Sequence, residues 1–231
     1  MISSLDKSYF ENPLFIYIQW LKSKYRYEKK YRNNFLKIGY MSICNNVTFG
    51  KYNWTGKYVA MENVSLGDFS YVSSNSVILE ASIGKFCSIG PNVKVAPGKH
   101  PTKKFVSTHP ALFSNPSYCK KNFFDFDHHN PKRHVTIGND VWICSNSVIA
   151  DGITIGDGAI IAANSLVNRD VEPYSIISGV PAQCVRKRFE NEEIDFLLQL
   201  KWWNKEIKWI EEHAKMFLDI KEMMKYNEND K

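Results

Sequence analysis

The chain has 231 residues, with 30 Lys+Arg against 24 Asp+Glu, a formal charge of +6, and 44% hydrophobic and 14% aromatic residues. That is ample for a packed core in one large domain or two small ones. No stretch approaches the roughly 18 uninterrupted apolar residues of a membrane span, and the mild basicity comes with no nucleic-acid motif. The five cysteines (Cys44, Cys87, Cys119, Cys144, Cys184) are odd in number and share no zinc or redox spacing. Reduced thiols in a cytoplasmic protein are the simplest account.

Residues 1–36 read as an N-terminal extension, partly helical. Its apolar run Leu14 to Ile18 sits behind acidic residues and lacks a signal-peptide cleavage pattern. The basic aromatic stretch 20–37, with Lys22, Lys24, Arg26, Lys29, Lys30 and Arg32, offers a peripheral contact with anionic lipid at the inner face of a membrane, or a solvated helical face.

From about residue 37 a period of six takes over. It is cleanest at Ile137, Ile143, Ile149, Ile155, Ile161 and Val167, each followed by a mostly small residue: Gly138, Cys144, Ala150, Gly156, Ala162 and Asn168. A helix repeats at 3.6 residues and a half-buried strand at 2. Six suits short flat strands joined by tight corners, with three such faces making a coil of about eighteen residues, stacked at the strand spacing of about 4.8 Å. Leu66, Val72 and Ile78 keep the phase, and Ile83, Ile89 and Val95 resume it after a step of five, which implies a distorted corner near Glu80. Ile38-Gly39 and Phe49-Gly50 look like ragged first coils. The repeat runs over 37–185, with an inserted loop 97–134 that carries five of the six histidines and five prolines. A loop of that length in a compact domain is more often functional than not. Residues 186–231 return to helical spacing at Ile194, Leu197, Leu198 and Trp202, then Ile207, Ile210, Ala214, Phe217 and Met224, as one or two amphipathic helices packed on the coils.

The motifs Ile83-Gly84-Lys85-Phe86-Cys87-Ser88-Ile89-Gly90, Pro97-Gly98-Lys99-His100-Pro101, Val106-Ser107-Thr108, Ile137-Gly138-Asn139-Asp140-Val141-Trp142-Ile143, Gly156 to Ala163 and Gly179-Val180-Pro181-Ala182, with the tail to Trp202-Trp203, form an ordered set. In that set the chain resembles the hexapeptide-repeat acetyltransferases. The branch it looks most like is the xenobiotic (streptogramin/chloramphenicol) class with its capsule and O-antigen relatives. The resemblance covers roughly residues 66–205. It implies a mainly β fold, a left-handed parallel β-helix with an extended loop and a C-terminal helical segment. It also implies a homotrimer whose donor site lies between neighbouring chains. The hand comes from the family alone, since general crossover rules favour the right.

The resemblance further implies transfer of acetyl from acetyl-CoA to a hydroxyl or amine, without metal. A hydroxyl is a poor nucleophile near neutral pH, and an imidazole, with a pKa of about 6.5, suits the task of taking its proton. His100 occupies the family's loop position for that base, and His109 is the second candidate. Ser73 stands where sugar-acetylating members have Asn, and Glu80 at an acidic position near the acceptor. Ser145 and Ala163 fall where the family contacts pantetheine, on a groove that Trp142 is a candidate to border. Cys144 and Asn164 replace the usual glycines there, and Asn tolerates left-handed backbone. Asn168, Arg169 and Arg186 lie where the phosphates of the donor are held; their plainer reading is surface charge. Trp202 and Trp203 read as packing. The acceptor is expected to be a carbohydrate of a surface polysaccharide, from the N-terminal extension, the Lys-His-Pro-Thr loop and His109, which stands where xenobiotic-type members tend to have an aromatic. A nucleotide-linked amino sugar or an antibiotic of the streptogramin or chloramphenicol type stays open. Two other classes are weighed against this: a lyase of the γ-carbonic-anhydrase type, whose three His come from coils that here hold none, and a non-catalytic β-helix.

Overall fold

A computed structural model describes residues 12–116 and 119–229. Residues 1–11 of the extension and 230–231 of the tail therefore lie outside the described residues.

The coils form a parallel β-solenoid with three faces. The first face stacks Trp54–Thr55, Tyr71–Val72, Ser88–Ile89, Trp142–Ile143, Ile160–Ile161 and Ser175–Gly179, and ends on the antiparallel strand Ala182–Lys187. The second and third faces share the long strands Ile43–Phe49, Ala60–Leu66 and Val77–Ile83, which run through the corner between them. Beyond these the second face adds Lys94–Val95, Val148–Ile149 and Leu166–Val167, and the third adds Val135–Ile137 and Thr154–Ile155.

The inward residues build columns through the middle. Val72, Ile89, Ile143, Ile161 and Ile177 line one side, Ile78, Val95, Ile149 and Val167 the next, and Leu66, Ile83, Ile137, Ile155 and Val171 the third; all are buried. Burying such aliphatic side chains stabilises by about 1.5–3 kcal/mol each. The corners also bury polar groups, among them two fully paired serines. Ser70 and Ser76 donate to the carbonyls of Gly84 and Gly90 at 2.7 and 2.9 Å, and accept the N–H groups of Cys87 and Val93 at 2.8 and 3.1 Å. A buried hydroxyl that both donates and accepts leaves no unpaired polar group to destabilise the corner.

The expected coil of eighteen residues holds only after the insert, where Trp142 pairs with Ile160 and Val148 with Leu166. Before it the pairing Ile43, Ala60, Val77, Lys94 advances by seventeen. The missing residue is at the corner between the second and third faces. Asn46, Asn63 and Glu80 each turn it alone with φ of 50°, 55° and 45°, so the step of five recurs in three coils. The later corner spends one residue more, at Ala150-Asp151-Gly152-Ile153, with Gly152 at φ 76°.

Helix α1 (Pro13–Lys30) closes the N-terminal end of the prism. Asn12 caps it by accepting the N–H of Phe15 at 2.8 Å, proline sits in its first turn, and Lys29 and Lys30 lie in its last. Its packed face donates from Trp20 Nε1 to Gly39 O (3.2 Å) and from Lys24 Nζ to Ile38 O (2.6 Å), while Tyr27 and Tyr31 meet Phe49 edge-on. Terminal coils of a solenoid need such a cap. At the other end α2 (Asn191–Leu200) begins with a capping box between Glu190 and Glu193 and buries Ile194 and Leu197. Two more helices follow, α3 (Ile207–Glu212) and α4 (Ile220–Asn229). The spacing after residue 206 does not make a single buried stripe: Ile207 and Phe217 are exposed, and Met223 is buried where the spacing points to Met224. Trp203 is 2% exposed, in keeping with a packing role.

Candidate active site

The insert leaves the corner between the second and third faces at Ala96, which has φ 50°, and the coil resumes at Val135. Asp151, one coil further on, clamps the two ends together. Its buried carboxylate accepts the N–H of Gly98 at 3.0 Å and that of Arg133 at 3.4 Å. Gly98 itself turns at φ 95°, in the left-handed region open to glycine. Beyond the clamp Lys99 is held on both sides: its N–H donates to Pro131 O at 2.8 Å, and its carbonyl accepts from His129 Nε2 at 3.0 Å. A small aromatic cluster steadies the rest. Phe105 stacks on buried Phe113 at 5.6 Å, and the His129 ring stands edge-on to both.

His100 follows directly on this fixed segment. Its Nδ1 lies 2.6 Å from the carbonyl oxygen of Thr108, and its ring meets Phe113 edge-on at 6.3 Å. A carbonyl only accepts, so Nδ1 carries the proton and Nε2 of the neutral ring keeps its lone pair. The side chain is exposed, so that lone pair is reachable. His109 has the opposite arrangement. Its Nδ1 accepts the N–H of Ala111 at 3.3 Å, capping the short helical turn Pro110–Leu112. In the neutral ring the proton then sits on Nε2, which makes that atom a donor and not a base. Of the other loop histidines, His128 lies against Phe124 and Phe126, and His134 Nε2 is 2.9 Å from the Ser82 hydroxyl.

Glu80 turns the same corner one coil before the insert. Its Oε1 accepts from Asn63 Nδ2 at 2.6 Å, and Asn63 in turn accepts from Asn46 at 2.8 Å, so an amide ladder climbs the edge to the carboxylate beside the loop. Asn168 and Arg169 occupy this edge further along, exposed, where Ala150 N–H bonds to Val167 O.

Ser73 lies on a different edge, between the first and second faces. The backbone pairings Ser73 to Ile89, Gly90 to Ile143 and Cys144 to Ile161 put it in one column with Gly90, Cys144 and Ala162. Ser145 and Ala163 are the next residues along that edge, and Ser145 O accepts the N–H of Asn164 at 3.0 Å. The backbone there is tight: a Cβ on Gly90 would come within 2.8 Å of Ser145 N. Asn164 turns at φ 59°, the conformation expected of it, and Cys144 is half-buried with its thiol pushed up by burial. Trp142, 51% exposed, stands on the first face between Ser88 and Ile160. Arg186 is exposed on the last strand opposite Ile176, and its Nη1 donates to Lys187 O.

One chain therefore brings His100, Glu80, Asn168 and Arg169 to one edge and Ser73, Ser145 and Ala163 to the next, with Trp142 and Arg186 on the first face. Asp151 and the Phe105–Phe113 pair are the parts of the candidate site that sequence reading missed. The Asp151-Gly152 turn at the insert's corner was their one visible sign. Among the described residues no group of three or more His, Cys, Asp or Glu is placed to hold a metal ion, and no helix is long and apolar enough to cross a membrane.

A prism of hexapeptide coils with a histidine-bearing loop defines a class, and sequence comparison agrees with it. A family model described as bacterial transferase hexapeptide (six repeats) matches residues 134–169. The chain is 37% identical over 161 residues to a chloramphenicol acetyltransferase of Agrobacterium fabrum, covering 68% of this chain and 75% of that one. It is 46% identical over 123 residues to a probable macrolide acetyltransferase of Lysinibacillus sphaericus, covering 53% and 68%. Among solved structures, a point mutant of AntD, an N-acyltransferase from Bacillus cereus in complex with dTDP and coenzyme A, superposes with a TM-score of 0.55 at 17% identity, covering 75% of this chain and 96% of that one. That last likeness is one of fold. The chain belongs to the hexapeptide-repeat acetyltransferase family.

Proposed function

We propose that the protein transfers acetyl from acetyl-CoA to a hydroxyl of a carbohydrate acceptor of the capsule or O-antigen kind, with His100 as the general base. One observation carries this reading: the Nδ1–H of His100 is committed to Thr108 O, which leaves Nε2 free to take a proton. The acceptor oxygen attacks the thioester carbonyl carbon as Nε2 removes its proton. The resulting oxyanion needs donors such as backbone amides. Its collapse breaks the C–S bond, and the imidazolium returns the proton to sulfur, giving the acetyl ester and free CoA thiol. Positioned base catalysis of this kind is worth about 10²–10⁴ in rate.

Glu80 supports a sugar acceptor, because its carboxylate sits on the loop's own edge where it can accept from hydroxyls, and the Nε2–H of His109 supplies a donor nearby in sequence. Ser73 is assigned to the acceptor side as well. Trp142, Ser145 and Ala163 are assigned to the pantetheine arm, and Asn168, Arg169 and Arg186 to the phosphates. Apart from Trp142 and Arg186 on the first face, these groups occupy two different edges of one prism, so a complete site needs the loop edge of one copy against the Ser145–Ala163 edge of another. A homotrimer meets that requirement. A second reading, acetylation of an antibiotic hydroxyl, is favoured by the identity to chloramphenicol and macrolide acetyltransferases.

The test is thiol release from acetyl-CoA, for wild type and His100→Ala, with polysaccharide repeats, nucleotide-linked amino sugars, chloramphenicol and macrolides as acceptors. Release that depends on a carbohydrate hydroxyl and collapses in the variant supports the proposal. Release with the drugs alone replaces the acceptor, release with the amino sugars replaces O- by N-transfer, and release unchanged in the variant removes His100 from the mechanism.

A further inference from the structure

Helix α1 has two faces that do different things. One side carries Trp20, Lys24 and Tyr27, which bind the first coil of the prism. Roughly 120° around the axis, at about 100° per residue, Leu14, Ile18, Leu21 and Tyr25 form a second stripe at helical spacing. Those four are 69%, 40%, 40% and 67% exposed. Phe15, also exposed, widens the stripe at its N-terminal end. An amphipathic helix normally has one apolar stripe, turned to the core. Here the core-facing side is already satisfied, and the additional stripe needs another cover.

The charges beside it say which. Lys22, Arg26 and Lys29 flank the stripe, and Lys29 Nζ lies 5.7 Å from the Tyr25 ring, its charge at the boundary of the apolar surface. The helix's one acidic residue, Glu28, is on the other side and bound to Lys24 and to the N–H of Ile38. A groove of about 440 Å³ runs along the basic flank between the helix and Met41–Asn45, with Lys22 and Arg26 on its bank. A second copy seated on the stripe would press these basic flanks together, whereas an anionic surface neutralises them. An exposed apolar stripe with a basic border is the pattern of a helix lying in a lipid headgroup layer.

We propose that α1 docks the protein peripherally on an anionic lipid bilayer, with Leu14, Ile18, Leu21 and Tyr25 inserted between headgroups and Lys22, Arg26 and Lys29 against lipid phosphates. The docking is independent of the acetyl-transfer reading, and neither fails with the other. The experiment is co-sedimentation of the full chain with phosphatidylglycerol–phosphatidylcholine vesicles and with pure phosphatidylcholine vesicles. Binding is expected on the first and not the second, and is lost at high salt. Lys22→Ala with Lys29→Ala should weaken it about 25-fold, fivefold for each charge. Ile18→Ser with Leu21→Ser should weaken it about tenfold or more for each side chain. Both stripe residues are 40% exposed, so some loss of melting temperature is expected, but the variant keeps its helical circular dichroism and its oligomeric mass. Equal binding to both vesicle types, or to neither, overturns the proposal. A change of oligomeric mass in the stripe variant also overturns it, by making the stripe an interface between copies.

Discussion

Two edges of the prism put the same kind of corner to opposite uses. At the corner between the third and first faces, Phe35, Tyr52, Phe69 and Phe86 all turn with φ of 58–60°. Their rings form a continuous stack with centroids 5.0, 4.6 and 4.7 Å apart, and Trp202 from the tail adds a fifth ring at 4.7 Å. At the corner between the second and third faces the equivalent positions carry Asn46, Asn63 and Glu80, then the insert with His100. Left-handed backbone is unfavourable for a bulky side chain, so the first edge offsets that strain with ring stacking. On the second edge Asn46 and Asn63 tolerate the conformation, Glu80 is held in it by the bond from Asn63, and these polar groups leave the edge available to a ligand. The difference teaches that a hexapeptide corner is a socket. Apolar rings in it build stability, and polar groups in it leave a candidate site.

If this division is right, the largest effect on activity comes from the loop edge. His100→Ala should lower acceptor-dependent thiol release by about 10²–10⁴ while leaving the melting temperature unchanged, because the ring is exposed. Next comes Asp151→Asn. The substitution keeps the shape but leaves one oxygen for the two N–H groups of Gly98 and Arg133. Displacing the loop by about 1 Å costs up to 10² in rate, so turnover should fall about 10- to 100-fold, with faster proteolytic cleavage within 97–134. Equal cleavage in both proteins would deny Asp151 its part as the clamp. On the stacked edge the pattern should invert. Phe69→Ala removes two ring pairs worth about 0.5–1.5 kcal/mol each beyond the buried area. Urea unfolding should therefore show a loss of about 1–3 kcal/mol or more, with activity per folded molecule unchanged.

The repeat itself was legible because one inward aliphatic per face is a strong signal, and Ile137 to Val167 show it without interruption. The stacked edge was legible in principle and was missed. Phe35, Tyr52, Phe69 and Phe86 are seventeen apart, three hexads less one residue, and a search tuned to six passes over them. His100 stood out through its place in a family pattern. Its tautomer did not, since that depends on a carbonyl eight residues away in an irregular loop. Asp151 was hidden for the same reason: its partners lie 53 and 18 residues away in sequence and meet only when the coils stack.

The smallest effect separates the two aspartates that the edges hold. Asp140 follows Phe86 in the stacked column, where Asp140 N–H bonds to Lys85 O, and its carboxylate meets Arg188 Nη1 at 3.0 Å. Burial holds that carboxyl above its ordinary value of 3.8; Arg188 opposes the shift without cancelling it, and Asp157 adds to it. A carboxyl raised on folding binds its proton more tightly in the native state than in the unfolded one. Its contribution is therefore present at pH below 3.8 and fades as pH climbs through the raised native value. Stability measured by urea unfolding should carry a shallow downward slope just above the ordinary carboxylate range, and Asp140→Asn should flatten it. An upward slope lost in the variant would mean that the Arg188 pair outweighs burial, and that this end of the stacked edge is held by charge and not by packing.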